Sequence, residues 1–204
     1  SASENELLLW DNRKCTDRLV GHSDAIKTVA FSHSGQLFAS GSIDKSIKVW
    51  SLLDKKAIKT LNGHTKGVNK VEFSISDKYI ISAGYDDKIF IWDWKNGNLI
   101  KKLSVNNTNF SINKEDVLAY IDSSCHLTFF DLKSLSVTKV VGKFCGSPVF
   151  NPQKNIIAIN DINKSILRVI DLNSGAVLSI LNIKKENSVC EVSTFKFTPD
   201  GQYL

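Results

Sequence analysis

Hydrophobic and polar positions alternate along this chain in short runs, and the runs return at a nearly constant interval. After Gly21-His22, the stretch Ala25-Ile26-Lys27-Thr28-Val29-Ala30-Phe31 is rich in strand formers. Ser32-His33-Ser34-Gly35 reads as a turn, Gln36 to Ser40 as a second strand, and Gly41-Ser42-Ile43-Asp44-Lys45 as a second turn. Ser46 to Trp50 then reads as a third strand and Ala57 to Leu61 as a fourth. Short strands with turn signals roughly every 8 to 12 residues, and no helical period, predict an all-β chain.

The stretch from Gly63 to Leu103 repeats this plan almost position for position. Ser40, Asp44 and Trp50 shift by 42 onto Ser82, Asp86 and Trp92, and His22 shifts by the same 42 onto His64. Each unit closes its third strand on a bulky residue: Trp10-Asp11, Trp50-Ser51, Trp92-Asp93, Phe130-Asp131 and Ile170-Asp171, at intervals of 40, 42, 38 and 40. A period of this size marks stacked small sheets, each of which buries its faces only against its neighbours. Two later units, Asn109 to Leu135 continuing to Val141 and Gly146 to Asp171 continuing to Leu181, keep the strand rhythm. They lack Gly-His, and the Asp of the second turn is displaced or absent, with Ser124 and Lys164 in its place.

Gly-His, then Val-x-Phe-Ser, then a Ser-Gly-Ser-x-Asp turn, then Ile-x-Val-Trp resembles the WD40 repeat. The resemblance is most specific in the units ending at Trp50 and Trp92 and rests mainly on period in the last two. It implies a WD40-type β-propeller of four-stranded antiparallel blades. The expected divisions are a partial blade of third and fourth strands at 1–20 and WD40 units at 21–61 and 62–103. Degenerate units follow at 104–141 and 142–181, and a further unit begins at 182–204, all in one propeller domain. Phe195 to Leu204 reads as a first strand, its turn and the start of a second. Propellers of this family usually close with seven blades, which takes about 280 residues at this period. The chain also has no methionine. A segment of a longer chain, part of a seven-bladed ring, is the simplest account; the alternative is a five-bladed ring whose two ends share one blade.

His22, Ser40 and Asp44 have the residue types of a nucleophile, base and orienting acid, which would require an exposed serine beside an oxyanion hole. The same trio recurs as His64, Ser82 and Asp86, each time with a closing Trp, and catalytic sites are not duplicated in successive structural repeats. The resemblance implies instead two buried hydrogen-bond sets, His22–Ser40–Asp44–Trp50 and His64–Ser82–Asp86–Trp92, that hold each blade in register. Trp10, Trp50 and Trp92 are all expected in the core, with Phe130 and Ile170 filling the same slot.

Binding is expected in the loops, with the blades as a rigid frame. By resemblance, partners dock on the face formed by the turns between second and third strands and the entry to the first. That selects Lys27, Ile43, Lys45, Asn69, Tyr85 and Asp87, with Tyr85, just before the turn Asp86, singled out as the anchor because exposed tyrosine favours interfaces. The polar loop Asn106-Asn107-Thr108-Asn109 and the stretch Ile183 to Ser188, with Lys184, Lys185 and Glu186, replace the Gly-His pairs of the earlier units.

Composition narrows the function further. The net charge of +5 comes from lysine, since Arg13, Arg18 and Arg168 are the only arginines. Readers of phosphate and guanine lean on the arginine fork, so nucleic acid is expected only indirectly or weakly. Cys15, Cys125, Cys145 and Cys190 form no CxxC pair, and neighbours such as Cys125 and His126 point to opposite faces of a strand, so neither metal nor cofactor is expected. The acidic start Ser1 to Glu6 is unlike a secretory signal, and no apolar run is long enough to span a bilayer. The expectation is an intracellular, cytoplasmic or nuclear, non-catalytic scaffold for other proteins, with no membrane insertion and no small-molecule substrate. A lysine-faced subunit of an RNA-processing or ribosome-assembly complex is the alternative, and a propeller enzyme the third.

Overall fold

Strand formers interrupted by Gly, Asn, Asp and Ser turns leave the backbone one economical solution, a series of antiparallel ladders. The computed structural model describes residues 2–144, 146–161, 166–182 and 195–204, and every regular element among them is a β-strand. They fall into two compact units, Ser1–Ser104 and Val105–Leu204. Lys164, Cys145, Cys190 and the Ile183–Ser188 stretch lie outside the described residues.

In the first unit, β1 (Ala2–Ser3), β2 (Glu6–Asp11) and β3 (Lys14–Val20) form a three-stranded sheet. A four-stranded antiparallel sheet follows in the order β4 (Ile26–Phe31), β5 (Leu37–Ser42), β6 (Ser46–Ser51) and β7 (Lys56–Asn62). Next come β8 (Val68–Phe73), β9 (Ile80–Gly84) and β10 (Lys88–Asp93), completed by the first part of β11 (Asn98–Ile112), whose residues up to Ser104 pair with β10.

In the second unit, the later part of β11 pairs with β12 (Val117–Asp122), which continues to β13 (His126–Asp131) and β14 (Ser136–Lys143). A last four-stranded sheet runs β15 (Pro148–Phe150), β16 (Ile156–Asp161), β17 (Ile166–Asp171) and β18 (Val177–Asn182). These all-β, antiparallel four-stranded sheets have the build of WD40 propeller blades. The Phe195–Phe197 stretch, expected as a strand, joins no ladder; its turn does form, with Thr198 N donating to Tyr203 O and Gly201 N to Thr198 O at 2.9 and 2.8 Å.

The inner strands depart from the simple alternation of the sequence. Every residue of β9 is buried, as are all but the first of β5. The physical reason is that these strands have apolar neighbours on both faces, so neither face needs polar residues. One cluster joins Val49, Leu61, Val68, Val71, Phe90 and Trp92 across two sheets of the first unit, and a second joins Leu7, Leu19, Phe38 and Trp50. In the second unit, Ala119, Leu127, Phe129, Phe150, Ile157 and Ile170 form a third.

One irregularity recurs in all five third-to-fourth-strand ladders. The register shifts immediately before the closing residue, at Leu9/Trp10, Val49/Trp50, Ile91/Trp92, Phe129/Phe130 and Val169/Ile170. The extra residue sits on the outer strand and is exposed each time: Thr16, Ile58, Ile100, Thr138 and Leu178. A bulge sharpens twist and bends the bulged strand, so each outer strand curls at the level of the slot residue.

Trp50, Trp92, Phe130 and Ile170 are each 1% exposed, so the slot demands bulk rather than an indole. Trp10 is a correction: it is 54% exposed. Trp50, Trp92, Phe130 and Ile170 each pair with a second-strand residue, whereas β1 pairs only with Leu7 and Glu6 of β2, short of Trp10. Trp50 in addition stacks on Phe38, with ring centroids 5.9 Å apart. Trp50→Ala and Trp92→Ala should therefore each cost about 3–5 kcal/mol through cavity formation, and Trp10→Ala about 1 kcal/mol or less. Urea midpoints of the three variants check this ranking; an equal loss at all three positions contradicts it.

Candidate protein-binding face

Two hydrogen-bond chains underlie the end of the sheets where first strands begin and second strands finish. In the first, Trp50 Nε1 donates to Ser40 Oγ at 2.8 Å, and His22 Nε2 lies 2.7 Å from the same oxygen. His22 Nδ1 faces Asp44 Oδ2 at 2.7 Å. A ring nitrogen that close to a carboxylate carries the proton, so Nε2 of the neutral ring is bare and accepts from the Ser40 hydroxyl. Every polar atom of the chain then has its partner, and the proton placement follows from this accounting. Asp44 also accepts from Ser23 N at 3.0 Å, Ser46 N at 2.9 Å and the Ser46 hydroxyl at 2.6 Å.

The second chain has the same connections. Trp92 Nε1 donates to Ser82 Oγ at 2.8 Å, His64 Nε2 lies 2.9 Å from that oxygen, and His64 Nδ1 lies 2.9 Å from Asp86 Oδ1. Thr65 N donates to Asp86 Oδ2 at 2.9 Å. Ser40 and Ser82 are 0% exposed and already accept an indole proton, so neither is reachable as a nucleophile.

The electrostatics agree with a neutral imidazole on a charged carboxylate. Burial pulls His22 and His64 below the ordinary histidine value against the opposing pull of Asp44 and Asp86. Burial pushes the Asp44 carboxyl up, but the Ser46 hydroxyl and amide, His22 and the Ser23 amide outweigh it and hold it at about 2. Asp86 is lowered in the same way, burial being overcome by the Thr65 amide and His64.

The third full sheet solves the same turn differently. Asp122, two positions before Ser124, accepts from Ser124 N, His126 N and the Thr128 hydroxyl at 2.8, 2.9 and 3.2 Å. The carboxylate has moved onto the end of β12, and the network is local to one turn rather than spanning a blade.

The six candidate binding residues occupy three kinds of position at this end. Lys27 and Asn69 are the residues skipped where the β4–β5 and β8–β9 ladders shift register, so each is the bulged residue of a first strand. Ile43 N donates to Ala25 O and Tyr85 N to Gly67 O, both at 2.9 Å, tying each turn to the entry of its own blade. The Ile43 and Tyr85 side chains both lie over Gly67, where an added Cβ would be 2.9 Å from Ile43 Cδ1 and 3.4 Å from Tyr85 Cδ2. Lys45 and Asp87 are the left-handed residues of their turns, with φ of 73° and 56°, and Cys125 repeats that conformation at 65°. Lys27, Lys45, Tyr85 and Asp87 are exposed, while Ile43 and Asn69 are half-buried.

Two further residues escaped sequence reasoning. Asp77 stands where the preceding blade has Gly35, both with positive φ, and its two carboxylate oxygens accept from His33 N and Ser34 N of that blade at 2.8 Å each. Trp94 Nε1 donates to Asp77 O at 2.9 Å and so braces the same turn. The signal was present as an Asp in a slot that favours Gly, Asn or Asp for backbone reasons. Among the described residues, no group of three or more His, Cys, Asp or Glu is placed to hold a metal ion. No helix among them is long and apolar enough to cross a membrane.

Comparison with known proteins places this geometry. Residues 13–51 and 55–93 match the family model for the WD domain, G-beta repeat. A 42-residue stretch is 45% identical to the lissencephaly-1 homolog of Caenorhabditis briggsae, covering 21% of this chain and 11% of that protein. A 36-residue stretch is 56% identical to the vegetative incompatibility protein HET-E-1 of Podospora anserina, covering 18% of this chain and 3% of that protein. Ribosome assembly protein 4 of Saccharomyces cerevisiae is 36% identical over 63 residues, 29% of this chain and 12% of that protein. The matched stretches thus span between 3% and 12% of the length of these curated relatives.

Two outcomes follow from the hydrogen-bond chains. Asp44→Ala and Asp86→Ala each strand a buried His N–H and should lower stability by about 1–3 kcal/mol; thermal melts identical to the parent's would contradict this. Stability should also fall in acid. The folded pKa of both histidines lies below 6.5, so the unfolded chain binds protons first as pH drops through that value. A second loss follows as pH falls from about 3.8 towards 2, where unfolded Asp44 titrates before the folded carboxyl. Melting temperatures across a pH series check the sign; a flat profile below 6.5 counts against it.

Proposed function

We propose, for a chain that carries WD40 repeats at residues 13–51 and 55–93, a non-catalytic scaffold that holds protein partners in a larger assembly. The partners dock at the end of the sheets that bears Lys27, Ile43, Lys45, Asn69, Tyr85 and Asp87. The observation that carries this reading is the Ile43–Gly67–Tyr85 contact, which sets an aromatic ring, 48% exposed, on a turn that both hydrogen bonds and a buried chain hold in place. A ring fixed before binding loses little freedom on contact, and such rigid aromatic residues serve as anchors. The sealed state of Ser40 and Ser82 supports a role without covalent chemistry. The free thiols of Cys15, which is exposed, and Cys125 support a reducing, intracellular setting.

A second reading, a place in a nucleic-acid-containing assembly, draws on the exposed lysines of the outer strands, among them Lys14, Lys56, Lys101 and Lys102. The name of the yeast relative, ribosome assembly protein 4, fits such a place.

Affinity purification followed by mass spectrometry, with Tyr85→Ala beside the parent and Phe31→Ala as an exposed aromatic control outside the face, tests the proposal. Protein partners should co-purify with the parent and with Phe31→Ala, and fall at least about tenfold with Tyr85→Ala. Equal recovery with Tyr85→Ala, or no protein partner under any condition, overturns it. RNA in place of protein, with retention falling steeply as salt rises, favours the second reading.

A further inference from the structure

Four strands end their sheets in the fourth-strand position of the repeat: β3, β7, β14 and β18. A sheet edge presents unpaired N–H and C=O groups, and charged side chains are the usual guard against pairing with another chain. Three of the four are guarded: β3 carries Lys14, Asp17 and Arg18, β7 carries Lys56 and Lys59, and β14 carries Lys139 and Lys143. β18 reads Val-Leu-Ser-Ile-Leu-Asn and has no charge at all. Its Val177, Leu178, Ile180 and Leu181 are 48%, 58%, 56% and 48% exposed. The outer bulge at Leu178 does not set it apart, because every fourth strand has one. What sets it apart is the missing charge.

The register shows where that charge is missing. Lys59 pairs with Val49, Lys139 with Phe129 and Asp17 with Leu9, each one step before the bulge; at the same step in the last sheet Ser179 pairs with Val169. Around Ser179 the apolar pattern of the strand is symmetric, with two apolar residues on either side. Antiparallel pairing with an identical strand sets Val177 opposite Leu181, Leu178 opposite Ile180, and Ser179 opposite its own copy. On the other three strands the same arrangement sets like charges against each other at the central position, which is destabilising.

We propose that β18 pairs edge to edge with β18 of a second copy of this chain, forming a two-fold symmetric dimer by strand addition. A two-fold contact is self-complementary by construction, and the symmetric apolar pattern of β18 meets that condition in a second copy. The interface shares no residue with the candidate protein-binding face, so the two readings stand or fall independently.

The test is sedimentation of the full chain over a concentration series, beside Ser179→Lys and Ser179→Glu. Lysine at this position is what β7 and β14 already carry, so the fold accommodates it, and circular dichroism should be unchanged. The parent should show a reversible monomer–dimer equilibrium, which each variant alone weakens at least about tenfold. Mixing the two variants should restore dimers, since the opposed central charges then attract. A parent that stays monomeric at every concentration, variants that dimerise as well as the parent, or a mixture that stays monomeric would each overturn the proposal.

Discussion

A histidine held neutral between a serine hydroxyl and an aspartate is the constraint on which two of these sheets turn. His22 comes from the loop before the first strand, Ser40 from β5, Asp44 from the turn and Trp50 from β6, so one chain of bonds joins four segments. None of the four groups tolerates burial alone; together they leave no polar atom without a partner. A slip of one residue in β5 would turn Ser40 away and strand both His22 and Trp50 at once. The turn that carries Ile43 and Lys45 is therefore positioned by the interior, and the second chain does the same for Tyr85 and Asp87.

Much of the architecture was legible from spacing alone. The offset of 42 that carries Ser40, Asp44, Trp50 and His22 onto their counterparts locates every strand of two sheets. The slot at Phe130 and Ile170 was readable although the indole is gone, because bulk survives where chemistry does not. Trp10 shows the limit of the method: periodicity identifies the slot but not whether a second strand lies beside it. The bulges were also illegible. A register shift moves no hydrophobic residue out of phase by itself, since the extra residue falls on an exposed outer strand. At the candidate face, positions could be named from the repeat, but Lys27 and Asn69 as bulged residues, and Ile43 and Tyr85 both lying over Gly67, depend on backbone geometry that spacing does not encode.

The last two full sheets show what happens when the blade-spanning chain is absent. Asp122 gathers donors from its own turn, and Asn151 serves the following turn in a comparable way, its Oδ1 accepting from Gln153 N and Lys154 N. The Asp122 network satisfies its polar groups within one turn, whereas Asn151 also reaches away from its own turn, its Nδ2 donating to Gly201 O at 2.9 Å. Without a His–Ser–Asp–Trp chain across the blade, apolar clusters such as Ile121, Leu127, Phe129 and Ile157 carry more of the burden of fixing the register. The two solutions coexist in one chain because the backbone requires only that buried donors find acceptors; it does not specify how far away those acceptors lie.

The Asp77 contact has a consequence in time as well as in space. Its carboxylate completes the turn at His33 and Ser34 from 44 and 43 residues further along the chain. A ribosome delivers the chain from its N-terminus, so the β4–β5 turn emerges before the residue that clasps it and waits with two amides on water. Only when the next blade has been synthesised and has closed its own turn around the left-handed Asp77 does the earlier turn reach its final state. The finishing contact of this turn is thus supplied by the blade that follows it.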